Sequence, residues 1–295
     1  MINKSDFEND LKQAMYSAFV DLGIKIPIRS KLDEMLLDYL TIRKKVIQPK
    51  PRIVLTSPNI EKTLLSHSKR KEVDRLKKLF IEGKNVNFFQ SKKLFQTNFH
   101  DHLLYEWNIF HFHLSNEFER GSKFIKRTNQ LLFAYIEDAQ VIFLDIENHK
   151  KGIFADTKWL EILHNYFPKV LEPFKDCDIE DVSPSISSVE RQTLWDKGYT
   201  LGITKINGTV YHSMGIGRAV TGHSILVRKQ KNEILRWIYY LNDYFEIKED
   251  KICSEFNIDK SNTEFKLQFG KTTLEIIEKK SNKILLTYPL LFNFN

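Results

Sequence analysis

The chain is poor in cysteine, glycine and proline, and it has no long apolar run. Among 295 residues there are two cysteines, eleven glycines and eight prolines. Cys177 and Cys253 lie far apart and neither belongs to a Cys-x-x-Cys pair, so no thiolate zinc site or disulfide framework is suggested. A metal would need histidine and carboxylate ligands. No segment approaches the roughly eighteen consecutive apolar residues of a membrane helix. The opening Met1-Ile2-Asn3-Lys4-Ser5-Asp6-Phe7-Glu8 lacks the apolar core of a secretory signal. The expectation is a soluble, cytoplasmic protein with no membrane partner. No internal repeat or low-complexity segment stands out.

What is present is basic charge, unevenly spread. The net charge is +7. Between Glu61 and Lys93 ten Lys/Arg face four acids, a local excess of +6 that includes Lys69, Arg70, Lys71, Lys77 and Lys78. Such a run is either a solvated helix face or a surface that holds a phosphate backbone without reading bases.

The periodicity predicts a helical region over residues 1–96. Ser5-x-x-Glu8 is a capping box for a helix over 5–21, Ser30 caps a second to about 46, and Ser57-Pro58 opens a third over 59–82 that carries the basic residues. Thr97 caps a short helix over 98–107. The period then changes to two: strands are predicted at 109–115, 130–137 and 140–147, followed by a helix over 158–167. The acidic, serine-rich stretch 176–188 reads as a linker. Beyond it come a β-rich stretch over 200–227, a helix over 229–246 and three short strands. The fold class is therefore α+β, with an N-terminal helical region (1–96), a central antiparallel sheet (97–175) and a C-terminal α+β domain (189–295).

Four of the nine histidines fall between Asn98 and Ser115. In the alternating Ile109-Phe110-His111-Phe112-His113-Leu114, the two imidazoles share one strand face with Ile109, and Phe110, Phe112 and Leu114 share the other. The Phe face reads as core and the His face as a wet or functional surface. Histidine gives and takes protons near neutrality and also ligates metals, so the pair suits catalysis, a metal or mere decoration. His100 and His102, two apart on a predicted helix, do not share a face, so at least one of them reads as structural. Asp101 and Glu106 are close to these histidines in sequence.

A second cluster, Tyr211 to Ser224, combines three glycines with His212, His223 and Arg218. It reads either as a glycine-rich hairpin turn or as a loop in which Arg218 clamps a phosphate, and it lacks a P-loop ending.

The order of features from residue 109 to 154 resembles the RelE/ParE toxin superfamily. An alternating strand is followed by the basic Lys123, Lys126 and Arg127, then by the apolar hairpin Leu131 to Ile146, then by the turn His149-Lys150-Lys151. The resemblance covers about one-sixth of the chain. It implies metal-independent RNA cleavage, with no cofactor, by attack of a ribose 2′-OH on the adjacent phosphate. His111 and His113 would share acid/base work, Arg127, Lys150 and Lys151 would stabilise charge, and Tyr135 and His149 are further candidates. It also implies a toxin or nuclease effector of a toxin–antitoxin or phage-defence system, with RNA and an acidic antitoxin or regulator as partners. Two other readings stand beside it: a non-catalytic module binding protein or nucleic acid in a larger complex, and a metal hydrolase using the same histidines.

Overall fold

The computed structural model describes residues 6–24, 31–270 and 273–289. In chain order the helices are α1 (Phe7–Asp21), α2 (Leu32–Lys45), α3 (Pro58–Leu64), α4 (Arg70–Ile81), α5 (His102–Trp107), α6 (Lys158–Tyr166), α7 (Pro168–Leu171), α8 (Ser188–Asp196), α9 (Ile225–Ile247) and α10 (Glu249–Phe256). The strands are β1 (Ile53–Thr56), β2 (Ile109–His113), β3 (Gln130–Ile136), β4 (Gln140–Asn148), β5 (Lys175–Asp176), β6 (Ile203–Ile206), β7 (Thr209–His212), β8 (Phe265–Phe269), β9 (Thr273–Glu278) and β10 (Ile284–Pro289). The protein is α+β with a helical N-terminal region. Among the described residues no helix is long and apolar enough to cross a membrane.

The chain divides into two compact units, one of residues 1–40 with 227–295 and one of residues 41–226. The boundaries expected at 96/97 and across 176–188 both fall inside the larger unit. Two strand pairings account for this. β1 lies parallel to β4, with Ile53 opposite Gln140 and Thr56 opposite Phe143, which draws the end of the helical region into the central sheet. Lys175 and Asp176, at the edge of the expected linker, pair with Tyr211 and Val210.

In the smaller unit the chain ends share one core. The Phe245 ring meets Phe7 at 5.4 Å and Phe265 at 4.9 Å, both edge-on. Leu267 N–H donates to the Asp10 carboxylate (2.8 Å), which satisfies a backbone donor of β8, the end strand of the three-stranded sheet β10-β9-β8. The first helix is capped by Asp6, whose side chain accepts from Asn9 N–H. Ser5 and Ser30, the caps expected from sequence, lie outside the described residues.

The larger unit is built on a sheet of order β1-β4-β3-β2. Its central strands are apolar on both faces, and both faces are covered. On one side Phe112, Leu132 and Phe143 pack with Val73, Leu76 and Phe80 of α4. On the other, Ile109, Phe133 and Leu144 pack with Trp159 and Leu163 of α6 and Trp195 of α8. Of the wet or functional surface expected on the His face of β2, the wet part does not hold: the face points into the second apolar layer and His113 is only 5% exposed, while His111 borders a cavity.

The single helix expected over 59–82 is broken. α3 ends at Leu64 and α4 begins at Arg70, because in Ser66-His67-Ser68 local hydrogen bonds compete with the helix ladder. The His67 ring accepts from Lys69 N–H (3.1 Å), and its carbonyl accepts from Arg70 N–H (3.2 Å). β1, bounded by Pro51 and Pro58, was not expected from the sequence.

Candidate active site

Asp101, not Thr97, caps the short helix: its carboxylate accepts from Leu104 N–H (3.1 Å). His102 is thus the first residue of α5 and His100 precedes it, so helical spacing does not separate their side chains. Asn108 ends α5 in the left-handed region (φ 54°) and turns the chain directly into β2, which carries His111. β4 runs to Asn148, and Gly152 (φ 82°) lets the chain double back into the 3-10 turn Ile153–Ala155. That turn sets Phe154 between two imidazoles, 5.0 Å from His111 and 5.3 Å from His149.

These elements enclose a cavity of about 300 Å³ lined by His100, His102, His111 and His149 together with Asp101, Lys93, Arg127, Phe99, Phe154, and Gln192 and Asp196 of α8. Arg127 is anchored by donating to Ser91 Oγ (3.0 Å). Lys93 stands over the Phe99 ring at 5.0 Å. The buried Lys45 ammonium donates to the carbonyls of Gln96 and Phe99, pinning the segment that delivers His100 to His102.

Set against protein-family models, curated proteins and solved structures, the chain matches none. The site therefore rests on its own chemistry.

Burial is the first influence on the histidines. It holds His111 below the ordinary imidazole range, while the Asp101 carboxylate, 4.0 Å from Nδ1, pulls the other way. Burial, then neighbouring cations, push His100 and His102 down to about 4. Burial, then His111, push His113 to the same level. His102 stacks on Trp195 (6.0 Å, 16°) and its Nε2 accepts from the Arg218 guanidinium (3.1 Å), which places its proton on Nδ1. At neutral pH these four rings are uncharged bases. Lys93 and Arg127 supply the cations.

The structure brings together His111, Arg127 and His149 from the expected set and adds His100, His102 and Lys93. It does not bring the others in. His113 Nδ1 accepts from Thr128 N–H (3.2 Å) beneath the sheet edge and does not line the cavity. Tyr135 is a core residue whose hydroxyl donates to Glu137 (3.2 Å); burial raises its pKa. Lys150 faces Glu147 at 3.7 Å, and both Lys150 and the exposed Lys151 lie off the cavity. On α4, Lys69, Arg70 and Lys78 face Glu72, Asp74 and Glu82 at 3.2, 3.9 and 3.7 Å, and Lys77 lines a separate cleft between α3 and α4. Lys71 is exposed. Much of the basic run is thus self-neutralised. Among the described residues no three His, Cys, Asp or Glu converge to hold a metal ion.

The glycine-rich stretch supports the site from behind. Gly215 N–H donates to Glu106 O and Gly217 N–H to Tyr105 O, both at 2.9 Å, laying the loop on the backbone of α5. A Cβ on Gly215 would stand 2.1 Å from Tyr105 O, so only glycine fits. Ile216 between them adopts φ 63°, a strained value for a β-branched residue. The Glu106 carboxylate, 2% exposed, accepts from Thr200 and from Ser213 Oγ (2.7 Å). The stretch is a structural clasp that also presents Arg218 to His102.

The depressed histidines make stability pH-dependent. For His113 the unfolded chain binds a proton near 6.5 and the native state only near 4. Its contribution is present above pH 6.5 and is lost as pH falls toward 4. The urea midpoint should fall across that window, and His113→Gln should make the fall shallower. An identical pH slope in the variant would contradict the buried, neutral state of this ring.

Proposed function

We propose that the cavity is the active site of a metal-independent endoribonuclease. The observation that carries this reading is the convergence of His111 and His149 with Arg127 and Lys93 on one cavity. Transesterification of RNA needs a base for the 2′-OH, an acid for the leaving 5′-oxygen and cations for the charge that builds on phosphorus. His111, kept neutral by burial, takes the 2′-OH proton. The 2′-oxygen bonds to phosphorus, the P–O5′ bond breaks, and His149, the exposed ring of the pair, delivers a proton to O5′. A 2′,3′-cyclic phosphate and a 5′-hydroxyl result. Arg127 and Lys93 hold the phosphoryl oxygens.

Such an activity would harm the cell that makes it. The biological reading is therefore a toxin or nuclease effector of a toxin–antitoxin or phage-defence system, restrained by an acidic regulator drawn to the cationic chain. Purified protein incubated with RNA in excess chelator should yield fragments ending in 2′,3′-cyclic phosphate. RNA left intact, or cleaved only when a divalent metal is restored, would defeat the proposal.

A further inference from the structure

The cavity carries a second chemistry that the transesterification does not use. Gln192 and Asp196 lie one turn apart on α8 and both line the cavity. Gln192 Nε2 donates to Asp196 Oδ1 (2.9 Å), which fixes the two side chains relative to one another. Gln192 Oε1 is buried and has no hydrogen-bond partner. What this wall offers a ligand is the Asp196 carboxylate, held in place by Gln192 Nε2, in the cavity where Lys93 and Arg127 suit a phosphate.

A carboxylate presents two acceptor oxygens side by side and pairs best with a ligand that sets two donors side by side. Among the bases, guanine alone offers two adjacent donors, N1–H and the exocyclic amino group. Adenine and cytosine set one amino group beside a ring-nitrogen acceptor, which would face the carboxylate. Uracil offers one N–H between two carbonyls. Phe99 and Phe154 give the same cavity apolar rings against which a base can lie.

We infer that the α8 wall is a base-reading subsite, and that Asp196, oriented by Gln192, selects guanine at the nucleotide whose phosphate meets Arg127. This rests on the ribonuclease reading, but binding tests it separately from cleavage. The full-length protein is titrated calorimetrically with guanosine, adenosine, cytidine and uridine 3′-monophosphates. The guanine nucleotide should bind at least about ten-fold more tightly than the rest, the scale of one well-placed polar contact. Asp196→Asn, on an exposed position, and Gln192→Leu should each bring the four affinities to within about three-fold.

Equal affinities in the wild type, preference for another base, no binding of any of the four, or a guanine preference that survives both substitutions would each overturn the inference. RNA cleavage without base preference would remove the subsite and leave the ribonuclease standing. Guanine-selective binding without cleavage would do the reverse.

Discussion

His111→Ala should lower the rate of RNA cleavage by about 100-fold or more, the range expected when one general acid or base is removed. The magnitude follows from where the ring sits. His111 is held on β2 against Phe154, near Asp101, with its charged form disfavoured by burial, which favours the neutral ring that can accept a proton. His149→Ala should also slow the reaction, and the double substitution should cost little more than the worse single one, because the two act in one proton-transfer step. Far-ultraviolet circular dichroism should not change. The companion test is growth: expression of the wild type should arrest cells and the double variant should not. Cleavage within a few-fold of wild type in His111→Ala would remove His111 from the mechanism. The same outcome for His113→Ala is expected, since that ring does not line the cavity.

Trp159→Ala should produce the largest loss of stability, about 3–5 kcal/mol, as expected for truncating a buried aromatic. Trp159 is fully buried, stacks on Phe133 at 3.9 Å and 17°, and donates from Nε1 to Ile153 O (2.8 Å). The substitution opens a cavity between α6 and the sheet and strips a carbonyl of its donor. For a unit of this size each kcal/mol moves the melting temperature by roughly 2–4 °C, so a drop on the order of 10 °C is expected by calorimetry. Trp159→Phe keeps most of the packing but not the N–H, and should fall between. Because Ile153 begins the turn that places Phe154 between His111 and His149, this variant should lose activity out of proportion to its stability. A melting temperature unchanged in Trp159→Ala would mean the stacked pair does not secure the sheet.

What could be read from the sequence, and what could not, follows from the range of the interactions involved. The apolar hairpin Leu131–Ile146 is legible because its strands are uniformly apolar and its turn is short. The helices around Trp159 and Trp237 are legible by their apolar spacing. β1 was hidden because four residues between prolines carry little period, and its partner is a strand more than eighty residues away. The site was half legible. His111 stood out by its spacing with His113, yet alternation cannot say which strand neighbour is covered by another layer, and His113 is. That His100 and His102 border one cavity is not legible, because the sequence places the helix start at Thr97 whereas Asp101 is the cap. Lys93, Gln192 and Asp196 carry no local signal at all: they become site residues only through the packing of distant segments around Phe154.

The clasp of Gly215 and Gly217 on α5 has a consequence in time. Its two backbone hydrogen bonds join residues more than a hundred positions apart. Translation is vectorial, so a nascent chain that has reached only residue 212 has no donor for Tyr105 O or Glu106 O, and no Arg218 beside His102. The support behind α5 and His102 is therefore among the last features of the larger unit to be completed as the chain leaves the ribosome. An incomplete product released before that point lacks the clasp.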